Sequence, residues 1–148
     1  MERKRILVSA CLLGIPCKYS GGSNRNSKVI EVIERAGLEA VPICPEVMGG
    51  LPTPRVPAEI REDRVMTKDG RDVTAEFLRG AELALKTAKE NGCSTAILKE
   101  RSPSCGCGRI YDGSFQGNLI FGDGITARQL RAAGIRILGE GNVTELSG

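Results

Sequence analysis

The chain has 148 residues, with 41% hydrophobic and 26% charged side chains and a net charge of +3. That suits one domain with a buried core, so neither disulfides nor a structural metal is needed merely to fold. It has no histidine and no tryptophan, which excludes Ser-His-Asp and Cys-His catalysis and imidazole-bound zinc.

Arg5 to Ser9 is a short apolar run and predicts a strand. A long loop, Ala10 to Ser27, follows. Residues 28–36 (KVIEVIERA) place Val29, Ile30 and Ile33 on one helical face, with Gly37 just past the end as a stop. Leu38 to Ile43 predicts a second strand, with Pro42 awkward in it or marking its end. Cys44 to Pro57, with four prolines and two glycines, predicts no regular helix. Arg64 to Thr67 predicts a short strand ended by Asp69-Gly70. Residues 74–91 predict the best helix, with Phe77, Leu78, Ala81, Ala84, Leu85 and Ala88 on one face and Gly92 as the stop. Thr95 to Leu98 predicts a third buried strand. Lys99 to Gly124 reads as a long polar loop, 125–133 as a short helix, and Ile135 to Leu138 as a last strand with a polar tail that is peripheral after about residue 140.

Strands alternating with helices predict an α/β fold, a single domain over 1–148. Its sheet is mostly parallel and flanked by helices, a Rossmann-like three-layer sandwich with long loops at the carboxyl edge of the strands. No apolar run approaches a membrane span. The basic start, Met1 to Arg5, lacks a long enough apolar stretch behind it for a signal peptide. A cytoplasmic protein without a membrane partner is expected.

Six cysteines are too few for a disulfide scaffold of this length, and cytosolic thiols stay reduced, so metal binding or catalysis is the expected use. Cys11 follows the first strand, Cys44 the second, and Cys105 lies in the loop after the third. A parallel sheet points all its carboxyl ends to one edge, where ligands bind. These three thiols are therefore predicted to meet. Gly or Pro stands beside each, and Lys99 and Arg101 are placed to favour thiolates. Three thiolates without imidazole or a CxxC pair suit an iron–sulfur cluster better than a closed four-ligand zinc site. With three ligands, one iron is left open to substrate. Cys93 precedes a strand and belongs at the opposite edge. Cys17 and Cys107 share loops with proposed ligands and are the competitors. Glu46, two residues after Cys44, is placed to move protons. Asn24 lies in a Gly/Ser/Asn-rich loop. Ser102 and Ser104 are two residues apart in the Cys105 loop, and Asn24 and Ser104 are read as substrate-binding.

Five strings carry a family resemblance: VSACLLG (8–14), CKYSGGSNRN (17–26), VPICPEVMGGLPTPR (41–55), VMTKDGRDVT (65–74) and ILKERSPSCGCGRIYDG (97–113). From Ile6 to about Leu138 the chain resembles the TudS-like thiouracil desulfidases, which include YbbK-like members. The resemblance implies a [4Fe–4S] cluster on Cys11, Cys44 and Cys105, with one iron open to the sulfur of a small thiolated pyrimidine such as 4-thiouracil. It also implies that Glu46 and Ser102 assist proton transfer, with Ser104 the rival for the serine role. The implied reaction is a non-redox hydrolysis to uracil and hydrosulfide. The alternative, from a different class, is an iron–sulfur or zinc thiolate protein that senses redox state or sulfur. The small charge and few aromatics argue against a large RNA partner.

Overall fold

The computed structural model describes residues 4–147. Four strands form the central sheet: β1 (Arg5–Ser9), β2 (Glu39–Ile43), β5 (Thr95–Leu98) and β8 (Arg136–Gly139), in the order β2-β1-β5-β8. All three pairings are parallel, with Leu7 opposite Val41 and Ala96, and Ala96 opposite Ile137. The central strand is a continuous apolar run because both of its faces are covered; Ile6, Leu7 and Val8 are all buried.

The chain steps from β1 outward to β2, then returns to the other side of β1 for β5 and β8. The strand order therefore reverses at β1, and the crevice outside the carboxyl ends at that point is where such sheets hold ligands. One face packs Ile6, Val8 and Ile97 against Val29, Val32 and Ile33 of helix α1 (Ser27–Arg35). On the other face lie Leu7, Ala96 and Leu98. They meet Ala84 and Ala88 of α3 (Thr74–Glu90) and Ala127 and Leu130 of α4 (Ile125–Ala132). This is the expected α/β sandwich. Among the described residues no helix is long and apolar enough to cross a membrane.

α1 begins where the Asn26 side chain accepts a hydrogen bond from the Val29 amide at 3.1 Å, and ends at Gly37 with φ +67°. Pro42 lies inside β2, which tolerates it because β2 is an edge strand.

Several sequence expectations are corrected. The proline-rich segment after Cys44 does hold a helical turn, α2 (Pro45–Met48), because Pro45 occupies its first position, where no amide partner is needed. Ala58–Arg61 (β3) pairs with Arg64–Thr67 (β4) in a hairpin whose first strand was not foreseen. The turn between them puts Glu62, not glycine, at φ +58°, so it lacks the usual hairpin signature. The "polar loop" 99–124 contains a second hairpin, β6 (Arg109–Tyr111) with β7 (Leu119–Phe121). Leu78 is off the core face of α3 and 43% exposed; the buried stripe runs through Phe77, Gly80, Ala81, Ala84 and Ala88. The segment read as a peripheral tail is a 3-10 helix, Glu140–Ser147, that buries Val143 against the α1 face.

Gly80 has a specific role in α3. A Cβ there would stand 1.9 Å from the Pro45 carbonyl oxygen, and one on Gly49 would stand 1.9 Å from the Glu76 carbonyl oxygen. The two helices touch backbone to backbone. Mid-helix glycine costs about 0.5–1 kcal/mol relative to alanine, and the close approach it permits seats α2, and with it Cys44 and Glu46.

Candidate metal centre and proton relay

Cys11, Cys44 and Cys105 all line one cavity of about 510 Å³ at the carboxyl edge of the sheet. Cys11 sits in the 3-10 turn Ala10–Leu13 that leaves β1 and is 9% exposed. The loop after it folds back, so the Asn24 amide nitrogen Nδ2 lies 3.5 Å from Cys11 Sγ and the Asn24 backbone N–H donates to the Cys11 carbonyl at 3.0 Å. Cys44 follows β2 directly and opens α2. Cys105 is 4% exposed and is reached by the Ser104 hydroxyl at 3.7 Å.

The thiols differ electrostatically. Burial pushes Cys105 up to about 12, against hydrogen bonds from Ser9 and Ser104. Burial also raises Cys11, while Asn24 and then Lys99 pull it back. Cys17 lines the same cavity and shares a hydrogen bond with Cys44. That bond lowers Cys44, helped by the Val47 amide and the Arg55 charge. The same bond, together with burial, raises Cys17. Of the thiols on the cavity for which burial acts, Cys44 is the one drawn toward the thiolate.

The remaining thiols lie elsewhere. Cys93 packs with Ala88 and Ile135 at the amino edge of the sheet, with Arg5, at the start of β1, as its charged neighbour. Cys107 is only two residues from Cys105, yet it does not line the cavity. Its sulfur accepts from Arg131 Nη2 at 3.2 Å, beside Asp123.

Glu46 is 16% exposed and held at both oxygens. Arg55 Nε donates to Oε1 at 3.1 Å, and the Ser104 hydroxyl donates to Oε2 at 3.1 Å. Ser104 Oγ lies 2.9 Å from Ser102 Oγ. The Ser102 oxygen itself accepts from the Ser104 and Cys105 amides, each at 3.1 Å. A carboxylate only accepts. Ser104 has one proton for two acceptors, Glu46 Oε2 at 3.1 Å and Cys105 Sγ at 3.7 Å; when it goes to the nearer carboxylate, Ser104 accepts from Ser102, which links Ser102, Ser104 and Glu46 in a chain. The two serines are in direct hydrogen-bond contact with each other.

Arg55 was not singled out in the sequence. Its side chain is 5% exposed, and besides Glu46 it donates to the carbonyls of Cys17 (2.9 Å) and Pro52 (3.2 Å) and to Thr53 Oγ1 (3.0 Å). It ties the Cys17 loop to the Glu46 turn. The available signal was that Arg55 is the one basic residue within the proline-rich stretch 44–57. Lys99 faces the cavity but is paired with Glu140 at 2.9 Å. Arg101 is exposed at the mouth, with φ +68°.

The donor set is all thiol, delivered by three separate loops around a cavity with room for a polynuclear group and a small substrate. Among the described residues, no three Cys, Asp or Glu side chains gather for a single ion. An all-thiol donor set on one cavity suits an iron–sulfur cluster.

Comparison with known proteins agrees. A family model described as 2-thiouracil desulfurase matches residues 6–142. An uncharacterized protein of Bacillus subtilis (strain 168), YbbK, is 43% identical over 151 residues, covering 95% of this chain and 99% of that one. A solved structure of a [4Fe–4S]-dependent thiouracil desulfidase, TudS, is 49% identical. It superposes with a TM-score of 0.91 over 98% of this chain and 96% of the other. The chain belongs to the 2-thiouracil desulfurase family.

Proposed function

We propose that this protein is a [4Fe–4S]-dependent, non-redox desulfidase that converts a small thiolated pyrimidine such as 4-thiouracil, with water, into the oxo-pyrimidine and hydrosulfide. Family membership and the named activity of the TudS relative support the reaction class. The observation that carries the reading to this chain is the convergence of Cys11, Cys44 and Cys105 with a clamped carboxylate on one cavity.

Cys11, Cys44 and Cys105 would hold the cluster through their sulfurs. When bound, the cluster supplies Lewis acidity toward the substrate's sulfur, which makes the thiocarbonyl carbon more electrophilic. The residues handle the protons. Glu46, aimed by Arg55 and Ser104, accepts the proton of the attacking water, a role worth about 10²–10⁴ in rate. Once Glu46 holds that proton the hydroxyl chain reverses, and Ser104 and then Ser102 hand it on to the sulfur that leaves as hydrosulfide. Asn24 lies against Cys11 and belongs to the wall that receives the substrate. The free thiols on the cavity call for a reducing compartment, which the cytoplasm provides.

A thiolate sensor has no use for a carboxylate held at both oxygens beside the thiols. The test is anaerobic reconstitution with iron and sulfide, followed by addition of 4-thiouracil. The expected result is a brown protein that releases sulfide and uracil in equal amounts. A colourless, iron-free protein after careful reconstitution overturns the reading. A brown protein without turnover points to the sensor.

A further inference from the structure

The chain has only five aromatic side chains. Phe77 is buried in the core, and Phe121 is 86% exposed on the β6–β7 hairpin. The other three, Tyr19, Tyr111 and Phe115, all line the thiol cavity. Such a concentration is not what packing alone asks for. Neither Tyr111 nor Phe115 takes part in any of the hydrophobic clusters among the described residues.

Phe115 is also held where its backbone resists. Its φ is +59°, a conformation that an L aromatic residue rarely adopts and that persists only when its surroundings enforce it. The enforcing group is Glu59 on β3. One of its carboxylate oxygens accepts both the Gly113 and the Phe115 amides, each at 3.1 Å. Arg61, on the same strand, donates to the Gly113 carbonyl at 3.0 Å. The β3–β4 hairpin thus grips the turn of the β6–β7 hairpin, and the result of that grip is a half-buried aromatic ring on the cavity wall. Flat aromatic residues in a cavity whose wall is more apolar than polar, with Lys18, Lys68 and Arg101 along it, offer a surface for a planar heteroaromatic ring.

We propose that Phe115, with Tyr111 of the same hairpin, is the stacking platform that seats the pyrimidine ring, so that Phe115 is a specificity-determining residue. This rests on the function proposed above for the class of ring. Glu59 acts through Phe115 as a positioning residue.

The test uses the cluster-loaded protein and uracil, an unreactive ring without the sulfur, titrated by calorimetry. Phe115→Gly removes the ring while suiting the backbone angle, so a merely structural Phe115 predicts no loss. The platform predicts that Kd for uracil and KM for 4-thiouracil both rise about tenfold, the size expected for one lost base–aromatic stack. Phe115→Tyr restores them. Phe121→Leu, outside the cavity, leaves them as they were. Equal Kd in wild type and Phe115→Gly, or no uracil binding by either, overturns the platform. Sulfide release by the wild type reports separately on the reaction. Turnover with an unchanged KM in Phe115→Gly sinks the platform alone. Uracil binding that depends on Phe115, without sulfide release, supports the platform and sinks the desulfidase reading.

Discussion

The two ends of the central sheet carry the same reactive residue type and use it differently. At the carboxyl edge, Cys11, Cys17, Cys44 and Cys105 line one cavity, joined by Asn24, Glu46, Arg55 and three serines. At the amino edge Cys93 serves as a small apolar filler beside Ala88 and Ile135. Cys107 sharpens the contrast. It is two residues from Cys105, yet it faces Arg131 rather than the cavity. Where a strand ends, and which way its loop turns, decides what a thiol is for.

The comparison breaks most visibly if the edge thiols are changed. Cys11→Ser, Cys44→Ser and Cys105→Ser should each lose most bound iron and nearly all turnover, because a serine hydroxyl replaces a soft anionic ligand. Iron and acid-labile sulfide analysis after anaerobic reconstitution checks this. Iron retention equal to wild type in any one of the three removes that residue from the ligand set.

Next come the groups that handle protons. Glu46→Gln keeps the size and the hydrogen-bonding reach of the side chain but removes the base, so kcat should fall by about 10²–10⁴ with iron content intact. Arg55→Met leaves the carboxylate present but unaimed. A loss of roughly 10²-fold in kcat is expected, the scale of a small misplacement of a catalytic group. If Arg55→Met matches wild type in steady-state kinetics, the clamp on Glu46 is irrelevant to rate.

A smaller effect tests the scaffold behind the edge. Gly80→Ala forces a methyl group against the Pro45 carbonyl. Overpacking of this kind costs about 1–3 kcal/mol, and thermal unfolding should show a lowered midpoint. Since the displaced element carries Cys44 and Glu46, iron affinity should fall with it. An unchanged midpoint would mean that α2 and α3 separate freely.

Smallest of all are the thiols away from the cavity. Cys93→Ser and Cys107→Ser should keep full iron content and colour. For Cys93 the only penalty is a hydroxyl in an apolar niche, about 1–3 kcal/mol of stability. Loss of iron in Cys107→Ser would relocate a ligand within the 102–108 loop.

Much of this arrangement was legible in the sequence, and the reasons are specific. β1 and β5 read correctly because both are short apolar runs bounded by polar loops. Once parallel pairing is inferred, geometry alone carries Cys11, Cys44 and Cys105 to one edge. The parts that escaped depend on tertiary partners. α2 is a single turn that exists because two glycines let it rest on α3, so its local sequence argues against a helix. β3, β6 and β7 are three- or four-residue strands whose turns lack an Asn-Gly or Asp-Gly signature at the right place. The side-chain roles followed the same rule. Arg55 bonds to a carbonyl 38 residues away in sequence, and Ser104 to a carboxylate 58 away, so neither role is visible until the loops are folded together. The polar tail misled because its two apolar anchors, buried Val143 and partly buried Leu146, stand isolated among polar neighbours.

The central claim is that three edge thiols, and not the other three, hold a four-iron cluster beside Glu46. Anomalous diffraction at the iron edge, from crystals of the anaerobically reconstituted protein, tests it most directly. The account predicts four iron peaks in the cavity, three within bonding distance of Cys11, Cys44 and Cys105 Sγ, and a fourth with no cysteine ligand on the Glu46 side. A fourth iron bound by Cys17, or iron found at Cys107 or Cys93 with the cavity empty, would contradict it.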